Sequence, residues 1–353
     1  MTQEASSNPV FSPKVKLDYP LVRQRLHWVD YAKGIGIFLV VVGHVLRGLV
    51  NSSILQESTL LGFVDQWIYG FHMPLFFFIS GLFVERSLSK PFKDFVFDKL
   101  CTIAYPYFVW SILQSILQVL GSRYTNDKLS LGDIWKIGYQ PIMQFWFLYT
   151  LFFILLVYGI LHKLKLPPVL FLIFAVLLYC LHGLNVSFGP WGVLYLFRRH
   201  AIYFALGVIV GSNTWLSSIK SQTNVFALIS VVLGGYLAVG LAVELQLTEN
   251  AIAIPFIAML GIVASVILAI LLEKFDLLPF VKKWGMFSLE IFVVHAIAAS
   301  VFRIVLQKLF GFTEPVMHFL LGTVIAIYAP IILSVICSKL GFQYIFTLRS
   351  LKK

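Results

Sequence analysis

The sequence predicts an all-α integral membrane protein with about ten transmembrane helices around a central polar cavity. Only 12% of the 353 residues are charged and 59% are hydrophobic, whereas soluble domains are usually about 25% charged. The mean hydropathy of +0.89 reflects more apolar surface than a water-facing fold can cover. Apolar runs of about 20 residues recur along the chain, and about that many residues are needed to cross the hydrocarbon core of a bilayer.

Ten apolar stretches predict the individual spans, because polar or charged sequence separates them. They cover residues 34–50, 60–84, 100–120, 145–162, 168–184, 200–213, 224–243, 253–272, 287–309 and 317–338. We expect a single transmembrane domain at 27–345, because no connection is long enough to fold alone. A flexible cytoplasmic tail is expected at 1–26 and a basic cytoplasmic tail at 346–353. The first tail contains no apolar run typical of a signal peptide.

Positive charge predicts how the chain is oriented in the membrane. An even number of spans puts both termini on one side. If that side is the cytoplasm, 19 of the 27 Lys and Arg residues fall in cytoplasmic segments, in agreement with the positive-inside rule. The net charge of +11 and the pI near 9.5 then reflect loops that face anionic lipid. We expect no nucleic acid partner, because no basic run is interleaved with aromatic residues.

The first span carries the strongest functional pattern, in the stretch from Asp30 to Arg47. Lys33 and His44 are eleven residues apart. In an α-helix that separation is three turns plus about 20°, so both side chains point the same way, about 16 Å apart. A cation at the membrane edge and a histidine at mid-depth suit a ligand with an anionic head and a reactive end. A neutral imidazole in a desolvated site can serve as a general base.

Two more histidines are predicted at mid-depth, His72 in the second span and His295 in the ninth. An ionisable group within a span is costly unless it faces a cavity or a partner, so the three histidines together predict one polar centre. His72 and His295 could stabilise an oxyanion or position an acceptor. Each could equally be a structural histidine bonded to its neighbours. Asp65 and Glu290 are carboxylates that could orient a histidine.

Other polar residues near this centre have two interpretations each. Arg47 could orient a polar acceptor or extend to the outer head groups. Ser80, which precedes Gly81 in an aromatic run, could line a cavity that an acyl carrier approaches, or donate to its own helical turn. Arg198 and Arg199, on the outer side, could recognise a sugar or phosphate, or anchor the chain at the interface.

Arg86 and Lys99 follow the second span in a cytoplasmic connection. Together with Lys33 they could form a rim that binds donor phosphates. They could also be present only because cytoplasmic loops are rich in basic residues. The donor-binding role of this loop is therefore one of two interpretations.

We expect no metal site and no nucleophilic cysteine. The sequence contains no HExxH motif and no cysteine–histidine pair with ligand spacing. Three buried histidines could hold zinc or copper, but no carboxylate is evidently placed to support them. The three cysteines lie in or beside apolar runs and are expected to be small core residues.

Several motifs occur in order along nearly the whole chain. They lie at residues 30–37, 71–81, 105–110, 145–152, 198–207 and 285–295, and the first span adds a basic residue and a histidine separated by ten residues. This set resembles the membrane acyltransferase-3 family of multi-pass sugar O-acyltransferases, and most closely its fucose 4-O-acetylase-like group. No single motif is specific, but their order on ten predicted spans is.

The resemblance implies transfer of an acyl group, usually acetyl, from cytoplasmic acyl-CoA to a hydroxyl of a glycan or lipid-linked sugar. It implies that Lys33 and His44 are the essential pair, in a multi-pass protein of the bacterial inner (plasma) membrane. Many relatives have Arg where this chain has Lys33, so bidentate phosphate contact is lost. Relatives also often carry two basic residues before the Tyr105-Pro106 pair, where this chain keeps only Lys99.

These expectations leave three functional classes open. The first is an acyltransferase in which His44 acts as general base, with a covalent acyl-histidine as a variant of the mechanism. The second is a proton-coupled transporter or flippase of a polar lipid-linked sugar, which would use the same buried histidines. The third is a membrane scaffold without chemistry, in which substitution of Lys33 or His44 would affect stability alone.

Overall fold

The computed structural model describes residues 26–121, 131–184, 186, 189, 191–212 and 224–348. Almost all of the predicted N-terminal tail and the last five residues lie outside the described residues. Regular structure in the described chain is helical. The α-helices are α1 His27–Asn51, α2 Thr59–Leu82, α3 Val84–Leu88, α4 Phe92–Lys99, α5 Tyr105–Leu120, α6 Trp146–Lys163, α7 Pro168–Gly183, α8 Gly192–Gly211, α9 Val225–Glu244, α10 Ala253–Lys274, α11 Pro279–Met286, α12 Ser288–Ile304 and α13 Pro315–Lys339.

The prediction of an all-α membrane protein is confirmed, and the predicted count of ten spans is approximate. Eight helical segments of the described chain are long and apolar enough to cross a membrane. The predicted span at 168–184 corresponds to α7, an apolar helix of 16 residues. The predicted span at 60–84 corresponds to the 24-residue α2, in which Asp65, Gln66 and His72 reduce the apolar character.

Two predicted helix starts were too late. The helix predicted at 34–50 begins at His27, because the polar residues Asp30 and Lys33 are part of its first two turns. The helix predicted at 200–213 begins at Gly192, so Arg198 and Arg199 lie inside α8 rather than before it. In both cases charged residues were taken as the edge of a span, although they belong to the same helix.

Contacts along α1 define two ends of the bundle. The rings of Trp28 and Phe83 are 6.0 Å apart at one end, and Arg47 binds Asp65 at the other, so α1 and α2 are antiparallel. We call these the Trp28 end and the Arg47 end. Helix α12 runs parallel to α1, because Arg303 near its C-terminus donates to the carbonyl of Gly48.

Glycines allow the closest helix contacts near the Trp28 end. A Cβ added to Gly285 would lie 1.7 Å from the carbonyl oxygen of Asp30, and one added to Gly34 would lie 2.0 Å from that of Val281. The backbone of α1 therefore touches that of α11. Small residues permit such approach between membrane helices.

A second close crossing joins α2 and α8. Added Cβ atoms at Gly207 and Gly211 would lie 2.1 and 2.3 Å from carbonyl oxygens of α2, so these glycines allow the two helices to pack closely. Gly81 contributes from the other side, since its added Cβ would lie 2.0 Å from the carbonyl oxygen of Phe204. The backbone of α8 therefore occupies the space beside Gly81.

The end of the described chain returns to the Trp28 end. The Nε1 of Trp110 donates to the carbonyl of Ile345 at 3.0 Å, and the hydroxyl of Thr347 donates to the carbonyl of Cys101 at 3.2 Å. Phe346 and Thr347 are both 4% exposed. The first residues of the segment predicted as a C-terminal tail thus pack against the helices.

Candidate active site

Two of the histidines predicted at mid-depth are in direct contact. The imidazole of His44 on α1 lies edge-on to that of His295 on α12, with 5.0 Å between ring centroids. Tyr69 on α2 lies between His44 and His72, with ring centroids 6.4 Å from the first and 4.6 Å from the second. The four rings form one cluster, which we call the histidine cluster: His44, Tyr69, His72 and His295.

Gly43 makes room for this cluster. A Cβ at that position would lie 2.9 Å from a ring carbon of Tyr69. The glycine that precedes His44 therefore lets the tyrosine ring approach α1. A larger side chain there would push the ring away from the imidazole of His44.

Backbone carbonyls fix how two of the histidines are protonated. Nδ1 of His295 lies 2.8 Å from the carbonyl oxygen of Phe292, and Nδ1 of His72 lies 2.8 Å from that of Ile68. A carbonyl only accepts, so Nδ1 carries the proton in both rings. Nε2 of His295 is then an acceptor, buried and without a hydrogen bond to any described residue. The imidazole of His44 forms no hydrogen bond or ion pair within the described chain.

Arg47 is fixed beside the histidine cluster. Its Nε and one terminal nitrogen donate to the two carboxylate oxygens of Asp65 at 2.6 and 2.7 Å. Its guanidinium carbon lies 3.3 Å from the centroid of the Tyr69 ring. Asp65 therefore orients an arginine, whereas we considered it as a partner for a histidine.

The histidine cluster borders a cavity of about 250 Å³, which we call the reaction cavity. His44 is its deepest residue along α1, and its lining continues toward the Arg47 end. Seven of its sixteen lining residues carry polar side chains: His44, Arg47, Asn51, Gln118, Ser300, Arg303 and His318. The cavity therefore offers hydrogen-bonding groups to a polar ligand.

Packed side chains close the face of α1 between Lys33 and His44 in this structure. Ile37 and Val40 lie between them on the same face of α1, and each is 1% exposed. Both side chains are packed, so no open passage runs along this face of the helix. The two residues share a helix face as the sequence predicts, but packed apolar side chains separate them.

The residues considered for donor binding lie at the Trp28 end. Arg86 is exposed, with its guanidinium carbon 5.1 Å from the centroid of the Phe83 ring. The ammonium of Lys99 lies 3.3 Å from a carboxylate oxygen of Asp98 and donates to Ser87 at 3.3 Å. Arg86 is thus open to an anion, whereas Lys99 already has polar partners.

Three other candidates have clear structural positions. The hydroxyl of Ser80 donates to the carbonyl of Phe76 at 2.8 Å, which fits the interpretation in which Ser80 donates to its own helical turn. Arg198 is 7% exposed and donates to the carbonyl of Val186. Arg199 is exposed and lines a second cavity, of about 550 Å³. The two neighbouring arginine side chains therefore lie in different environments, because the first is buried and the second lines a cavity.

Sequence reasoning missed several residues of these cavities. Arg303 and His318 line the reaction cavity, and Tyr69, Trp146 and His200 line the second one. The tyrosine precedes His72 by three residues, so helical spacing alone indicates that both lie on one face. Arg303 is an arginine inside a predicted span, which is itself a functional signal.

Among the described residues, no group of three or more His, Cys, Asp or Glu side chains is arranged to hold a metal ion. The histidine cluster itself contains three histidines. Two of them already use Nδ1 as a donor to their own helix. We therefore describe the cluster through its hydrogen bonds and ring contacts.

Comparison with known proteins places this geometry in context. A sequence model of a family described as an acyltransferase domain, acyltransferase 3, matches residues 26–335. The chain is 32% identical over 125 residues to nodulation protein NolL of Mesorhizobium japonicum, over 35% of this chain and 32% of that protein. It is 23% identical over 212 residues to inner membrane protein YcfT of Escherichia coli, over 54% of this chain and 58% of that protein.

A second nodulation protein NolL, from Sinorhizobium fredii, is 27% identical over 123 residues. The matched part covers 32% of the length of each NolL protein, so the similarity to these relatives is partial. No solved structure matches the chain.

Proposed function

The chain belongs to the acyltransferase 3 family, and on that premise we propose that it is an O-acyltransferase of the membrane. The donor is acyl-CoA, with acetyl as the expected group, and the acceptor is a hydroxyl of a glycan or lipid-linked sugar. The observation that carries the proposal is the contact between His44 and His295 beside the reaction cavity. A general base needs a ring nitrogen that is free to accept a proton, with space for a substrate beside it.

His44 acts as the base in this proposal. Its neutral imidazole takes the proton of the acceptor hydroxyl while the oxygen attacks the carbonyl carbon of the thioester. A carbon–oxygen bond forms and the carbon–sulfur bond breaks, and the departing thiolate takes the proton from His44. Removal of such a base typically costs about 10²–10⁴ in rate.

His295 is a positioning residue for His44. Its Nδ1 donates to a backbone carbonyl, so its buried Nε2 is a fixed acceptor close to the His44 ring. An N–H of His44 directed at that acceptor leaves the other ring nitrogen with a lone pair for the substrate. The second histidine thus selects the protonation form that the base requires.

The donor enters from the Trp28 end, which we take as cytoplasmic. The phosphates of CoA bind near Lys33 and Arg86, because the exposed guanidinium of Arg86 has no competing carboxylate in the described chain. Transfer then requires the contact at Ile37 and Val40 to open, since both are packed in this structure. The acceptor enters from the Arg47 end, where the reaction cavity is polar.

Purified protein in lipid nanodiscs, incubated with radiolabelled acetyl-CoA and a panel of short oligosaccharides, tests the proposal. We expect transfer of the label by the unmodified protein and a loss of about 10²-fold or more in the His44→Ala variant. His27→Ala is the matched control, because His27 is an exposed histidine of the same helix. Full transfer by His44→Ala would refute the role of His44, and sugar transport without transfer of label would favour the transporter.

A further inference from the structure

The cavity that Arg199 lines is adjacent to the reaction cavity. We call it the Arg199 cavity, and its volume of about 550 Å³ is roughly twice that of its neighbour. Arg47 lines both cavities, so one guanidinium forms part of their common wall. The two cavities therefore meet at Arg47.

Aromatic rings form much of the wall of the Arg199 cavity. Tyr69, Trp146 and Tyr203 line it, and Pro74 interrupts α2 at the same level. The imidazole of His200 is packed against Trp146, with 4.8 Å between ring centroids. Aromatic faces pack well against the C–H faces of sugar rings, because they are apolar yet tolerate nearby polar groups.

Polar groups lie at the edge of the same cavity. The hydroxyl of Thr248 donates to Gln66 at 3.0 Å, which ties the loop after α9 to α2. Gln66 and Glu249 also line the cavity. These groups match the hydroxyls of a sugar, which both donate and accept hydrogen bonds.

Four charged side chains line the Arg199 cavity, and two of them form an ion pair. Arg47 and Asp65 neutralise each other through two short hydrogen bonds. The side chain of Arg199 forms no ion pair or hydrogen bond with another residue of the described chain, and the same holds for the side chain of Glu249. Both are exposed, whereas the neighbouring Arg198 is buried. Arg199 is therefore a guanidinium available to a ligand.

We propose that the Arg199 cavity binds the sugar unit next to the one that is acylated, and that Arg199 binds an acidic group on that unit. The group is a carboxylate or a phosphate, because a planar guanidinium binds both through paired hydrogen bonds. Trp146 carries the ring of the sugar and Glu249 accepts from its hydroxyls. This inference rests on the proposed function only where it identifies the ligand as the acceptor. Binding of a sugar to the cavity can be measured without any acyl transfer.

Binding of three small probes to the nanodisc-embedded protein tests the inference, with phosphatidylcholine as the only lipid. The probes are glucuronic acid, glucose 1-phosphate and glucose, measured by calorimetry. We expect at least one acidic probe to bind more tightly than glucose. The acidic probe that binds more tightly shows whether the cavity prefers a carboxylate or a phosphate. Arg199→Gln should weaken that binding about tenfold or more, the usual size of the loss of a charge-assisted hydrogen bond. Arg199→Lys should retain part of it.

Lys274→Gln is the matched control, because it removes a positive charge at an exposed residue outside the cavity. It should leave the binding of the acidic probes unchanged. His44→Ala should not alter probe binding, so the inference can hold even if transfer is never observed. Three results would overturn the inference. They are equal binding of glucose and the acidic probes, no binding of any probe, and binding that Arg199→Gln leaves unchanged in protein with an unchanged melting temperature.

Discussion

Arg47 and Asp65 form a two-point ion pair across α1 and α2, with distances of 2.6 and 2.7 Å. The pair lies beside the histidine cluster, and the guanidinium of Arg47 covers the ring of Tyr69. Because Arg47 also lines both cavities, Asp65 controls the position of a group that two ligand sites share.

We expect Asp65→Asn to reduce acyl transfer about tenfold while the protein still folds. The amide cannot neutralise Arg47 or accept both hydrogen bonds, so the guanidinium loses its fixed orientation. Steady-state transfer of labelled acetyl measures the effect. Glu57→Gln is the control, because Glu57 is an exposed acid at the same end of the bundle. A similar loss in both variants would assign the effect to overall charge.

His295→Leu should reduce turnover about tenfold and leave the KM for acyl-CoA unchanged. Leucine fills much of the same space but removes the imidazole that is proposed to hold the N–H of His44, a contact worth about one hydrogen bond. Measurement of kcat and KM separately, together with a melting temperature, distinguishes positioning from destabilisation. A change confined to melting temperature would show that His295 is a structural residue.

Lys33→Ala should raise the KM for acyl-CoA more than the KM for the acceptor. The positive charge at the Trp28 end is proposed to bind the donor phosphates, so its loss weakens donor binding first. Lys33→Arg should keep most of the affinity, since arginine also binds phosphate. Lys274→Ala, at the exposed end of α10, should have little effect. Equal changes in the KM of both substrates would argue against a donor role for Lys33.

Gly285→Ala should destabilise the protein by about 1–3 kcal/mol or more, because the new methyl group would overlap the carbonyl of Asp30. Gly234→Ala is the matched control, since a Cβ there meets nothing within 4 Å. Alanine favours a helix over glycine by up to about 1 kcal/mol, so this control should be neutral or stabilising. Melting temperatures in one detergent compare the two variants directly.

The sequence was sufficient to predict the class of fold and the place of the central histidines. Apolar length determines spans, and a histidine in such a span is conspicuous, so His44 and His295 could be singled out before their contact was known. Helix starts were less predictable, because Asp30 and Arg198 continue a helix beyond its apolar part.

Contacts between distant segments could not be predicted from one sequence. The partner of Asp65 depends on the packing of α1 against α2, and either a histidine or an arginine satisfied the sequence pattern. The closure at Ile37 and Val40 depends on how tightly neighbouring helices pack, which helical periodicity does not describe. Tyr69 was missed because a tyrosine in an aromatic run carries no signal of its own.

The contact between His44 and His295 joins the first helix of the described chain to one of its last two long helices. During synthesis α1 emerges early, yet its partners α11 and α12 are about 230 residues or more behind it. At about 5–20 residues per second the ribosome needs roughly 12–45 s to supply them. For that time His44 has no contact with His295, and a chain truncated before α12 would reach the membrane without the pair of histidines.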